Sequence, residues 1–65
     1  MNNLQRIRKQ RGMTQVELAE RAGVNLRTMQ RYEMTPERIN GAPALTVYKL
    51  AMALGVNVAE LLELD

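Results

Sequence analysis

Apolar residues recur along this chain in short stripes of helical spacing. No stretch alternates with the period of two that a half-buried strand shows. Val47, Leu50, Ala51 and Leu54 follow i, i+3, i+4, i+7; Leu18, Ala19 and Ala22 share one face, and Leu4 and Ile7 mark a shorter stripe. Three nearly identical breaks separate the stripes: Gly12-Met13-Thr14, Gly23-Val24-Asn25 and Gly55-Val56-Asn57. In each, Gly ends a helix in the left-handed conformation and Thr or Asn caps the next. The apolar residue between them can staple the new helix: Met13 to Leu18, Val24 to Met29, Val56 to Leu61. Thr14 with Glu17, and Asn57 with Glu60, also read as capping boxes.

This punctuation predicts an all-α fold of five helices. The first spans about Asn3 to Arg11, capped by Asn2 with Gln5 as a weak box partner. The second spans Gln15 to Ala22, the third Leu26 to Glu33, and the fifth Val58 to about Leu64. The fourth ends at Leu54. Met34 to Ala42 is the one long connection, because the residue before Pro36 avoids the α region. Asn40 is a candidate cap for the fourth helix, with Pro43 in its first turn, and Gly41 leaves that start open by a few residues. A chain of 65 residues is expected to form one domain over 1–65, with no separate sensor or catalytic domain. A fragment of a larger regulator is the other reading, against which the chain opens on Met and ends just after the fifth helix.

Composition narrows the function classes. With no Cys and no His there is no disulfide, no thiolate or imidazole metal ligand, and no His-activated nucleophile. The glycines sit singly at helix ends and form no phosphate loop. An enzyme is not expected, nor a cofactor or metal. Two tyrosines are too few for a single-strand stacking platform. No apolar run suits a membrane span or a signal peptide, so a cytoplasmic location without membrane contact is expected.

Charge adds a direction. The formal net charge is +2, and it is uneven. Through Arg38 eight bases face four acids; from Ile39 onward Lys49 stands against Glu60, Glu63 and Asp65. Most of the bases are Arg, whose planar fork matches phosphate and guanine edges. Mixed charge of this kind also suits a merely solvated surface.

The third helix carries the candidate chemistry. A three-residue turn containing Gly joins it to the second helix, the spacing of a DNA-binding helix-turn-helix. At about 100° per residue, Leu26, Arg27, Gln30 and Arg31 share the outer side, with Thr28 at its edge, while Met29 and Tyr32 face the core. Arg can bind guanine O6 and N7, Gln can bind adenine N6 and N7, and Leu or Thr can touch a thymine methyl. Such a face alone could equally be an unpartnered polar surface.

The runs LQRIRKQRGMTQVELAERAGVNLRTMQRYE (Leu4 to Glu33) and TVYKLAMALGVNVAELLEL (Thr46 to Leu64) resemble the lambda-repressor-like, or Cro/cI, helix-turn-helix family. The resemblance covers almost the whole chain. It implies a compact five-helix domain that binds double-stranded DNA, as a homodimer on a palindromic operator, and acts as a transcriptional repressor. It implies base reading by Leu26, Arg27, Thr28, Gln30 and Arg31, with Leu26 apolar where the family often has Gln or Ser. It places Thr14, Gln15, Asn25 and Arg38 on the phosphate backbone; Gln15 would also pack on the first residue of the third helix. Arg8 and Glu33 match a structural ion pair. The departure is the loop between Tyr32 and Leu50, about three residues longer than the common pattern, where MTPERINGAPALTVYKLA resembles a subgroup whose fourth helix starts Ile-Asn-x-Ala. Arg6 and Arg11 read equally as auxiliary phosphate contacts or solvated groups.

A second reading is an antitoxin-like or adaptor module that binds a partner protein. The acidic, apolar end (Val58, Leu61, Leu62, Leu64 with Glu60, Glu63 and Asp65) would supply its interface, although Val58 and Leu61 suit the core better. Leu62 or Leu64 would remain for a dimer contact.

Overall fold

Helices stop and start at the three breaks that the sequence places. A computed structural model describes residues 2–64. Its elements are α1 (Asn3–Gln10), α2 (Gln15–Ala22), α3 (Leu26–Met34), a 3-10 helix (Pro36–Gly41), α4 (Ala44–Leu54) and α5 (Val58–Leu61). No strand occurs among the described residues. Asp65, counted above with the acidic end, lies outside them.

Local hydrogen bonds account for the boundaries. Thr14 Oγ1 accepts from Glu17 N at 3.1 Å, and Glu17 Oε1 accepts from Thr14 N at 2.9 Å, so both halves of that capping box close. Hydrogen bonds that the carboxyl of Glu17 accepts from Thr14, backbone N–H first and then side-chain hydroxyl, hold it below the usual glutamate range. Glu60 Oε2 likewise accepts from Asn57 N at 2.8 Å, and Asn2 Oδ1 accepts from Gln5 N at 2.8 Å. Gly23 closes α2 at φ +68°, where an added Cβ would meet no atom within 4 Å. Gly23→Ala is therefore expected to cost only the left-handed strain, about 1 kcal/mol. For a domain this small, that lowers the thermal midpoint by about 4–8 °C. A melt followed by circular dichroism reads it, and an unchanged midpoint would contradict the strained turn.

Two helix boundaries differ from expectation by more than one residue. Asn40 does not cap α4. It lies in the 3-10 helix, and its side chain bonds both ways to the backbone of Glu63, donating to Glu63 O at 3.0 Å and accepting from Glu63 N at 2.8 Å. Ala42, the residue before Pro43, is extended at φ −72°, ψ 155°, as the clash with the proline ring requires. Pro43 is then the cap residue just outside α4, and its carbonyl accepts the first helical bonds from Thr46 and Val47. The fifth helix ends at Leu61, not near Leu64, because Leu62 turns extended. The backbone beyond it is claimed elsewhere. Asn3 Nδ2 donates to Leu62 O at 2.8 Å, Asn3 N donates to Glu63 Oε2 at 2.7 Å, and Asn40 holds Glu63.

The core draws on every helix. Leu4, Leu18, Met29, Ile39, Leu50 and Leu61 are its fully buried large side chains. α2 packs on α3 and, most extensively, on α4; α1 packs on α3 and α5. Ile39 anchors the 3-10 helix against α3, which is how the longer connection acquires regular structure. Asn2 is buried, and its Nδ2 donates to Tyr32 O and Glu33 O, both at 2.9 Å, so the start of α1 satisfies carbonyls at the end of α3. Every buried side-chain nitrogen or oxygen among the described residues has a hydrogen-bond partner.

Candidate nucleic-acid interface

α2, the turn and α3 form one unit. Val24 N donates to Ala19 O at 3.0 Å across the turn, and the Val24 side chain packs against the core. Asn25 Oδ1 accepts from Arg27 N at 2.9 Å and Thr28 N at 3.3 Å, fixing the first turn of α3. Ala19 is buried on α2, where its lack of bulk suits close packing of the helices.

The outer face of α3 is as the helical wheel places it, except that Leu26 and Gln30 are not fully exposed. Arg27 and Arg31 are exposed, Thr28 and Gln30 are half-buried, and Met29 and Tyr32 are buried. Leu26, expected to be exposed, is half-buried and packs against the core. At the first helical position a long side chain leans back toward the N-terminus, which here brings it over the turn.

Behind that face lies a continuous hydrogen-bonded chain. Arg8 Nε donates to Glu33 Oε2 at 2.7 Å and Arg8 Nη2 to Glu33 Oε1 at 3.1 Å, a bidentate pair with 9% and 3% side-chain exposure. Arg8 Nη1 also donates to Met13 O at 2.8 Å. Gln15 Nε2 donates to Glu33 Oε1 at 2.9 Å, and Gln15 Oε1 accepts from Gln30 Nε2 at 3.1 Å. Gln15 thus bonds Gln30 on the third helix. The first residue of that helix, Leu26, has no hydrogen-bonding side chain to offer it.

The candidate backbone contacts lie at helix starts. Thr14 caps α2, Gln15 is its first residue, and Asn25 caps α3. Arg38 is exposed on the 3-10 helix. Arg11, read as a phosphate contact or a solvated group, has a structural use: its Nε donates to Leu54 O, the last residue of α4, at 3.0 Å. Arg6 Nη2 donates to Asn3 Oδ1 at 3.1 Å. Of the pair expected to remain for a dimer contact, Leu62 packs on the core and Leu64 is exposed. Val58 packs against the core and Leu61 is buried. The outer side of α4 exposes Leu45, Tyr48 and Met52 at i, i+3 and i+7.

No group of three or more acidic, His or Cys side chains among the described residues is arranged to hold a metal ion. Among the same residues no helix is long and apolar enough to cross a membrane.

The chain matches the family model of the Cro/C1-type HTH DNA-binding domain over residues 3–65. It is 39% identical over 61 residues to an uncharacterized HTH-type transcriptional regulator, y4dJ, of Sinorhizobium fredii, a match covering 92% of this chain and 74% of that protein. No solved structure gives a significant match.

Proposed function

The chain belongs to the Cro/C1-type helix-turn-helix family of DNA-binding domains, and from that premise we propose that it is a sequence-specific transcriptional repressor. It reads double-stranded DNA with α3 in the major groove. The observation that carries this reading is the outer face of α3, where Arg27 and Arg31 stand exposed beside the half-buried Gln30. These are the donor types that recognise guanine and adenine edges, presented on a helix held rigidly to α2 by the Gly23 turn. Leu26 and Thr28 supply the apolar and edge contacts of the same surface.

Thr14, Gln15, Asn25 and Arg38 contact phosphates. The side-chain oxygen of Asn25 is engaged in its cap, so its free amide hydrogens and the unpaired N–H groups that open α2 and α3 are the donors. Two copies bind a palindromic site, with their α3 helices entering successive major grooves about 34 Å apart. Leu45, Tyr48, Met52 and Leu64 are among the uncovered apolar groups available to their contact.

If each dimer neutralises about six to eight phosphates, log K falls with log salt at a slope of about −5 to −7. Titrating a labelled duplex across a salt series measures that slope. A slope near zero would contradict phosphate contact altogether.

A further inference from the structure

The polarity of the hydrogen-bonded chain behind α3 is set by chemistry. The Glu33 carboxylate, paired with Arg8, can only accept. The Gln15 group facing it must therefore be the amide nitrogen, which turns Gln15 Oε1 toward α3. An oxygen there accepts only, so the Gln30 group that meets it must in turn be Nε2. The charge order of the Arg8–Glu33 pair thus passes through two amides and fixes which way Gln30 faces. What Gln30 keeps free is its Oε1 and one amide hydrogen, one acceptor and one donor in a set order.

We infer that Gln15 is a positioning residue for base recognition: held by Glu33, it orients the Gln30 amide and so sets the preference of α3 at one base pair. The order left free on Gln30 suits adenine, whose N6 donates and whose N7 accepts in the major groove. Guanine offers two acceptors on that edge and matches only half of the amide. A Gln30 released from Gln15 can turn over and loses this distinction. The inference rests on the reading of α3 as the base-reading helix. It assigns Gln15 a role that a phosphate contact alone would not give it.

The test compares the full chain with Gln15→Met, Gln30→Ala and Arg31→Ala. Each is titrated against the duplex that the unaltered chain selects and against its single-base-pair variants. Met keeps the length and helix preference of Gln15 and leaves the Arg8–Glu33 pair in place; a thermal melt confirms that each variant is folded. Gln30→Ala should erase a preference of roughly 5- to 140-fold at one base pair per half-site. Gln15→Met should cut the preference at that same base pair by about 3-fold or more and leave the other positions unchanged, on top of any uniform loss from its phosphate contact.

A Gln15→Met variant that weakens every duplex by one common factor, with the Gln30 preference intact, overturns the inference. So does a Gln30→Ala variant that leaves every preference intact while Arg31→Ala relaxes one; base reading by α3 then stands without the relay. If neither Gln30→Ala nor Arg31→Ala alters any preference, the reading of α3 itself fails and the inference falls with it.

Discussion

Arg8→Met is expected to remove a large part of the stability of the domain. The substitution strips the bidentate partner from a Glu33 side chain that is 3% exposed, and leaves Met13 O without its guanidinium donor. Removing one member of a buried ion pair costs about 3–5 kcal/mol, most of it the uncompensated charge left behind. A chain of this length has a total stability of only about 3–10 kcal/mol, so the loss consumes a large part of it. The thermal midpoint should fall by about 12–40 °C. Glu33→Met should act similarly, since it strands the guanidinium. The double variant Arg8→Met, Glu33→Met should recover much of the loss, because apolar groups that replace both charges remove the desolvation cost as well. A single variant whose melt matches that of the unaltered chain would mean that the pair is not buried as described.

Arg31→Ala is expected to do the reverse: leave the fold intact and damage DNA binding. Arg31 is exposed, and surface substitutions of this kind stay within about 0.5 kcal/mol of neutral. A lost guanine contact costs about 1–3 kcal/mol per half-site. On a two-half-site duplex this amounts to roughly 30-fold to twenty-thousand-fold in affinity, with relaxed choice at one symmetric pair of positions. Arg27→Ala, about 40° away on the helix, should relax a different position. Arg31→Lys separates charge from shape. It keeps the attraction to the backbone but loses the planar fork, so affinity for unrelated sequences should change little while affinity for the preferred site, and with it discrimination, falls. If both alanine variants lost affinity equally for every duplex, these arginines would be backbone contacts.

What could be read from the sequence was what hydrogen bonds close at hand determine. Thr14 with Glu17, Asn2 with Gln5 and the left-handed Gly23 all act within a few residues. For that reason α2 begins and ends where expected, and the helix-turn-helix is legible in the sequence. The face of α3 was legible because helical geometry needs only spacing. The wheel misplaces Leu26 because it ignores the direction in which a side chain leans at a helix start.

The remainder depends on partners far along the chain. Asn3 meets Leu62 and Glu63, Asn40 meets Glu63, and Arg11 meets Leu54. Nothing local to any of these residues announces its partner, so the local pattern predicts too long an α5 and a cap at Asn40. One local signal was available for α4. The residue before Pro43 avoids the α region by the rule that ended α3 before Pro36, and applying it there excludes a helix start at Asn40. The link from Gln15 to Gln30 was out of reach for the same reason as the other distant contacts, since it exists only once α2 and α3 have docked.

The most direct measurement is a selection of bound sequences from a randomised duplex pool at near-physiological salt, run in parallel for the unaltered chain and Arg31→Ala. The unaltered chain should recover a two-fold symmetric motif with half-sites about 10–10.5 bp apart. The variant should recover the same motif with one symmetric pair of positions relaxed. Retention of duplex without enrichment of any motif by the unaltered chain would contradict sequence-specific reading by α3.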